Sequence, residues 1–475
     1  MSAENLRIAL EKFKALGIDF STDEEKLFCA SLDHMRYSFM PDVCVYAHSE
    51  NDIARVLEIA NEYGIPITPR GSGTGCAGGA VPVQKGIVLD LSALNTIEIY
   101  PEERAARVGA GAITADIDKE AAKFGLMYAP DPSSHKYSSI GGNVACNAGG
   151  LRAAKYGSTR DNVLAITAFL ADGTKLQCGR PLKKFAVGLN LRDIFIGSEG
   201  TLGIISEVWL KLVPRPESRS AVVAFPKSDE DAYEAIGKVL RSKLTPAVFE
   251  FMDAETFNCV RKKNPNIKVS ASNGSAVLLL EFDGVVSQVE KDAQVAKELL
   301  QEYSPMASKE IEEIEGYWQI RRTASQGMYL LGDSKISQDI VLPYASLAEY
   351  MRYYKSLGEE GIHTPVFGHS GDGNYHIHFI YTSTKEGARE LAWQKMELAV
   401  KKAIELGGAL SGEHGIGFLK SKYMLLQHNL AELEAMRAIK NALDKKGILN
   451  PCKIYYPDGV KNLPNPLTNV HLPWD

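Results

Sequence analysis

The run Pro69-Arg70-Gly71-Ser72-Gly73-Thr74-Gly75-Cys76-Ala77-Gly78-Gly79 sits directly behind a strand-like segment, residues 65–69, and limits the fold more than any other feature. Without Cβ atoms, consecutive backbone N–H groups can converge on phosphate oxygens, and Ser72 and Thr74 add hydroxyl donors. Gly73-x-Gly75-x-x-Gly78 matches the dinucleotide fingerprint formally, and Asp90 closes the next strand-like run. That fingerprint requires a crossover helix between the two strands. Residues 80–86, AVPVQKG, are too short for one and contain Pro82. Taken alone, the cluster is as readily a flexible loop as a phosphate site.

It is not alone. Asp131-Pro132-Ser133-Ser134, Ser139-Ile140-Gly141-Gly142-Asn143 and Asn147-Ala148-Gly149-Gly150 form a second cluster, and residues 197–205, GSEGTLGII, form a third that feeds a strand. The 41 glycines are therefore concentrated by position, and the clusters place bare backbone where a dinucleotide can lie. Between them, helices are expected at residues 4–17, 50–63 and 114–124, and strands at 43–49, 86–91, 105–109, 163–170 and 203–212. Pro214-Arg215-Pro216 marks a boundary. Beyond it the pattern runs strand (221–225), helix (229–242), strand (247–252), strand (276–282), helix (286–302), an order compatible with a ferredoxin-like α+β layer. No internal repeat is visible. The proline-rich end from Tyr455 is expected to lie extended.

A chain of 475 residues calls for two or three domains. Its formal net charge of −6 argues against a nucleic-acid partner. The seven cysteines are scattered with no C-x-x-C pair, which suggests reduced thiols, a cytoplasmic setting and no cysteine-ligated iron–sulfur cluster of ordinary spacing. The first residues lack a secretory signal, and the longest apolar stretch, residues 163–171, is far too short to span a membrane.

Four of the ten histidines fall in two motifs, Gly368-His369-Ser370-Gly371-Asp372-Gly373-Asn374-Tyr375-His376-Ile377-His378 and Gly412-Glu413-His414-Gly415-Ile416-Gly417. On a strand, Asn374, His376 and His378 share one face and Tyr375, Ile377 and Phe379 the other. The turn at 370–373 can return His369 to His376. Two imidazoles with the Glu413 carboxylate make a three-ligand site with open positions, suited to zinc, iron(II) or manganese(II). Any one of these histidines is more readily a hydrogen-bonded core residue; together they favour a site.

The order PRGSGTG…GGA, DPSS…SIGGNVACNAGG, GSEGTLGI resembles the FAD-binding domain of vanillyl-alcohol-oxidase-type flavoproteins. It is most similar to the branch of glycolate oxidase D subunits, D-lactate dehydrogenases and D-2-hydroxyglutarate dehydrogenases, over about residues 40–455. The resemblance implies an α+β fold: an N-terminal helical segment (1–35), a two-subdomain FAD-binding domain (36–216), a ferredoxin-like substrate or cap domain with the metal site (217–425), and a C-terminal segment (426–475) returning to the flavin domain. It implies FAD contacts from Arg70, Gly71, Ser72, Gly73, Thr74, Gly75, Gly78 and Gly79 in the first cluster. Pro132, Ser133, Ser139, Gly142, Asn143, Cys146, Asn147 and Gly149 follow in the second, then Glu199, Gly200, Ile204 and Ile205. The segment 447–453, GILNPCK, resembles the family's G-I-L-N-P-G-K and adds Asn450, with Cys452 where glycine is usual. Cys76 and Cys146 are possible attachment points for a covalent flavin, but this branch binds FAD without a bond.

In the same family FGH-x-GDGN-x-H and GEHGIG supply the metal ligands, here His369, His376 and Glu413, and a base, here His414. Trp318-Gln319-Ile320-Arg321 matches its W-x-x-R, whose arginine grips the substrate carboxylate, a task suited to a planar guanidinium. Ser325 stands where relatives place threonine. Asn374 is expected to face the substrate, and His378, where the hydroxyglutarate branch has asparagine, is open as a substrate contact, a fourth metal ligand or a second proton acceptor. That branch's lysine has no secure counterpart, Lys335 being near, which favours D-lactate or glycolate over D-2-hydroxyglutarate. The resemblance thus implies that His414 takes the hydroxyl proton while the C2 hydrogen leaves as hydride to flavin N5. Electrons would pass to an external acceptor: an electron-transferring flavoprotein, an iron–sulfur subunit or a quinone. A homodimer is compatible with this reading. Two other classes stay open, a metal-dependent hydrolase using the histidine motif alone and an FAD-binding electron-transfer subunit.

Overall fold

A computed structural model describes residues 2–265 and 274–455. The extended end expected after Tyr455 lies outside the described residues. The described residues fall into two compact bodies, one within Met1–Gly149, Ser158–Pro214 and Glu413–Asp475, the other within Gly150–Gly157 and Arg215–Gly412.

In the first body, helix Glu50–Tyr63 shows how directly local chemistry sets an element. Ser49 and Asp52 form a capping box, and Gly64 ends the helix at φ +65°. Its apolar face (Ile53, Val56, Leu57, Ala60) is buried against strands Val43–Tyr46, Ile67–Arg70 and Ile87–Asp90. Ile87–Asp90 lies between the other two and parallel to both, while Asp19–Ser21 adds an antiparallel edge. No helix occupies the connection 71–86, in keeping with rejection of the dinucleotide crossover. A second, wholly antiparallel sheet has the order Ile97–Tyr100, Ala105–Gly109, Ile204–Lys211, Val163–Phe169, Lys175–Gly179. Helices Thr114–Ala122 and Ile140–Cys146 share its core. Its two outer strands, and helix Glu24–Ala30, were not expected. Ile97–Tyr100 buries no residue fully and Lys175–Gly179 only Cys178; both alternate, but over four or five residues with so little burial that the signal is short and weak.

The second body is one eight-stranded antiparallel sheet, ordered Met306–Ser308, Ser218–Ala224, Val277–Gly284, Val248–Met252, Val366–His369, Asn374–Tyr381, Ser334–Val341, with Ile362–His363 also pairing with Asn374–Tyr381. The expected β-α-β-β-α order is corrected by helix Ala254–Lys263, capped by Asp253, between the second and third strands. The first four strands still have the ferredoxin-like arrangement 4-1-3-2. The remaining strands repeat it. Ser334–Val341, Val366–His369 and Asn374–Tyr381 occupy positions 1, 2 and 3, with helices Leu347–Ser356 and Ala388–Glu405 at equivalent points in the chain. A single bridge from Val341 to Ala409 stands in place of the fourth strand. The two units join strand 2 to strand 2, Glu250 opposite His369. The internal repeat invisible in the sequence is therefore present in the topology.

Candidate active site

Strand register decides which side chains meet. Residues directly opposed across antiparallel strands point to the same face. Glu250 opposes His369, His369 opposes Asn374, Phe367 and Asp339 both oppose His376, and Ser337 opposes His378. One sheet face therefore gathers Glu250, His369, Asn374, His376, His378, Ser337 and Asp339, and all but Ser337 are buried. Tyr375, Ile377 and Phe379 fill the opposite face.

The turn after His369 closes through Gly373 N–H to the His369 carbonyl (3.0 Å), with Gly373 at φ +79°. His369 Nε2 thereby lies 3.4 Å from His376 Nε2. Two nitrogens each about 2.1 Å from one tetrahedral ion stand about 3.4 Å apart, so the pair fits a shared cation. His369 Nδ1 is 2.5 Å from Glu250 Oε1, and Arg321 Nε donates to Glu250 Oε2 at 2.5 Å. Burial pushes the Glu250 carboxyl up, but His369 and Arg321 together outweigh it and leave it below its ordinary value. Arg321 lies in the last turn of helix Ile311–Arg322, 4.3 Å from the Phe367 ring centroid, whereas Arg322 is exposed beside Glu315. Ser325 Oγ accepts from Lys335 Nζ at 2.6 Å, and His378 Nδ1 meets Ser337 Oγ at 2.8 Å. Asn374 Oδ1 is buried without a hydrogen-bond partner among the described residues. Gly412 packs beside it, where a Cβ would come within 2.5 Å of that oxygen, and Asp339 fixes the Gly412 N–H at 2.7 Å. Glu250 and Asp339 escaped the sequence reading. The one available signal was a lone carboxylate in each of two strands, VFEFM and SKISQDIV.

In the first body the three glycine clusters close on one another. A Cβ on Gly71 would fall 2.0 Å from Ser139 Oγ, and one on Gly200, at φ +72°, 2.3 Å from Pro69 Cγ. Arg70 donates to the carbonyls of Leu32 (2.9 Å) and Cys29 (3.1 Å), and buried Asp33 accepts from Gly78 N–H at 2.7 Å. Ser72, Thr74, Gly75 and Gly79 line the rest of that loop half-buried, and Gly73 is buried at φ +68°. In the second cluster Pro132 is buried and Ser133 exposed. Asn143 donates to Thr114 Oγ1 at 2.7 Å, and Gly142 passes close to Ser139. Asn147, at φ 54°, accepts from Arg160 N–H at 2.9 Å. Burial raises the Cys146 thiol well above its usual range. Ile204 and Ile205 point into the core.

Glu199 braces the GEHGIG turn, accepting from Ile416 N–H (2.5 Å) and Gly417 N–H (2.7 Å). A Cβ on Gly149 would lie 2.8 Å from Glu413 Oε2, and His414 Nε2 is 3.7 Å from Glu413 Oε1. Asn450 ties three segments together. Its backbone N–H donates to Ile67 O (2.7 Å), and its amide donates to Gly79 O (2.8 Å) and Glu199 O (2.6 Å). Ser139 Oγ, Ser198 Oγ and Asn450 Oδ1 are buried with no partner among the described residues. The two serine hydroxyls can donate to phosphate oxygens, whereas Asn450 Oδ1 can only accept, so the set fits a ligand that carries both phosphates and N–H or O–H donors.

Two family models cover most of the chain. The sequence model described as "FAD binding domain" matches residues 41–179, and that described as "FAD linked oxidases, C-terminal domain" matches residues 215–454. Since the second match spans the histidine motif, the hydrolase reading is set aside. The chain is 36% identical to glycolate oxidase subunit GlcD of Bacillus subtilis, over 90% of this chain and 92% of the relative. It is 34% identical to a D-lactate dehydrogenase of Anaerostipes hadrus, over 92% and 93%. A solved structure of p-cresol methylhydroxylase superposes with a TM-score of 0.79 at 16% identity, covering 96% of this chain and 97% of the other, and shares the fold. With both domains matched in order and relatives similar along nearly their whole length, the chain is an oxidoreductase that belongs to the FAD-linked D-2-hydroxyacid dehydrogenase family.

Proposed function

We propose that this protein oxidises D-lactate or glycolate to the 2-oxo acid with non-covalent FAD and one divalent cation, zinc or alternatively iron(II) or manganese(II). The observation that carries the reading is the pairing, on one buried sheet face, of two imidazoles 3.4 Å apart with a buried guanidinium. Ligands for a cation and a clamp for a carboxylate are what a 2-hydroxy acid needs. When bound, FAD supplies the hydride acceptor and the cation supplies Lewis acidity toward the substrate oxygens.

The chain's own residues do the rest. His369, His376 and Glu413 hold the cation. Arg321 grips the substrate carboxylate through its terminal nitrogens, because Nε is engaged by Glu250. Asn374, Ser325 and His378 orient the substrate. His414 takes the hydroxyl proton as general base. The flavin contacts are those named from the three glycine clusters, with Asn450. We place the four segments 1–35, 36–216, 217–425 and 426–475 in the roles given above. Electrons leave to an external acceptor: an electron-transferring flavoprotein, an iron–sulfur subunit or a quinone. Seven cysteines outside any disulfide support a cytoplasmic setting, and no described helix is long and apolar enough to cross a membrane. A homodimer fits the proposal. D-2-Hydroxyglutarate is the second reading, favoured by Lys335 beside Ser325, a cation on the same body as Arg321.

The test is anaerobic addition of D-lactate, glycolate or D-2-hydroxyglutarate to the purified yellow protein. Bleaching of the flavin band is expected with one of the first two. His414→Ala is expected to slow it about 10²–10⁴-fold with FAD still bound. A flavoprotein that none of the three bleaches, or a variant reduced at the wild-type rate, contradicts the assignment.

A further inference from the structure

We propose that Glu250 is a positioning residue that joins the cation site to the carboxylate clamp, so that one carboxylate governs both cation affinity and substrate affinity. The inference rests on the reading above and extends it to a residue outside every motif. Glu250 lies mid-strand in Val248–Met252, fully buried, with apolar neighbours along its strand. An isolated carboxylate there would be strongly disfavoured. Each of its oxygens has one partner: Oε1 the His369 imidazole, Oε2 the Arg321 guanidinium, both at 2.5 Å.

Two consequences follow from hydrogen-bond chemistry. A carboxylate on Nδ1 holds the proton there, leaving the Nε2 lone pair of His369 directed toward His376, the tautomer a cation ligand requires. By engaging Nε, the other oxygen fixes the plane of Arg321 and leaves its terminal nitrogens to bind an anion. A core ion pair with no further role would need only one of these contacts. Glu281 is likewise a buried carboxylate with two partners, Arg219 and Trp318 Nε1, but no histidine is among them.

Glu250→Gln separates the possibilities, since an amide offers one acceptor oxygen to two donors and turns its NH2 toward the other. In the FAD-loaded protein stripped of metal with a chelator and titrated with Zn²⁺, the variant is expected to bind the ion about 10–100-fold more weakly. The KM for the 2-hydroxy acid is expected to rise about tenfold or more as the clamp loses its orientation. FAD stoichiometry should not change. Glu281→Gln, the control, is expected to lower thermal stability while leaving Zn²⁺ affinity in place. Should Glu250→Gln fail to fold, Glu250→Asp, which withdraws the oxygens by one methylene, is expected to show the same paired rise. Wild-type cation and substrate constants in the Glu250 variants would overturn this inference alone. Wild-type protein that binds no cation would overturn the metal reading along with it.

Discussion

Cys452 occupies a backbone conformation that its side chain resists. It lies at φ 65°, in the left-handed region, with Gln84 Nε2 3.2 Å from its sulfur. A Cβ there costs about 1–2 kcal/mol, and glycine would return about 0.5–1 kcal/mol of that through its more flexible unfolded chain. Cys452→Gly is therefore expected to stabilise the protein by about 0.5–1 kcal/mol, read as a higher urea midpoint. A lower midpoint would mean that the Gln84 contact outweighs the strain. This strain was legible in the sequence, because Cys452 stands in a motif position where glycine is usual. Glu250 was not. Its partner His369 is 119 residues away, and only strand register brings the two together. Arg321 and His369 could be named from their motifs, but the carboxylate between them belongs to no motif.

Among the elements, the hairpin Val366–His369/Asn374–Tyr381 carries both imidazoles, and its spacing depends on Gly368. A Cβ there would sit 2.4 Å from the Asn374 carbonyl oxygen and 2.6 Å from the Tyr375 Cα, backbone atoms that cannot rotate away. Gly368→Ala is expected to cost about 1–3 kcal/mol and to weaken Zn²⁺ binding by displacing His369 from His376. Gly316, inside helix Ile311–Arg322, has nothing within 4 Å of an added Cβ. Gly316→Ala should instead stabilise by about 1 kcal/mol. Opposite signs in thermal denaturation check both, and equal effects would contradict the packing described. Elements with strong local signals were readable: Glu50–Tyr63 because capping box, apolar stripe and Gly64 agree, and Asn374–Tyr381 because alternation set its histidines on one face. The edge strands were not, since four or five alternating residues with almost no full burial make too short a signal. The repeated four-strand plan was not either, because it resides in strand order rather than in residues.

At the scale of the molecule, the chain leaves the first body briefly at residues 150–157, leaves it again after Pro214 and returns at Glu413. The glycine clusters, the GEHGIG turn and Asn450 therefore share one core. Glu250, Arg321, His369 and His376 share another. A ligand stabilises the state that binds it by RT ln(1 + [L]/Kd), about 2.7 kcal/mol at a hundred times Kd, and local opening is suppressed most where the contacts are made. FAD added to apoprotein should thus slow amide exchange most in residues 71–79, 139–149, 199–205 and 415–417. Those are the segments where Gly71 meets Ser139, Gly200 meets Pro69, and Glu199 holds the N–H groups of Ile416 and Gly417. Strands Val248–Met252 and Val366–His369 are paired through their own ladder and should respond more to Zn²⁺ than to FAD. Hydrogen exchange resolved by peptide, with each ligand added singly, reads the two maps separately. If FAD left the Gly71 loop as exchangeable as in the apoprotein, the flavin could not be held by the glycine clusters in the way their packing requires.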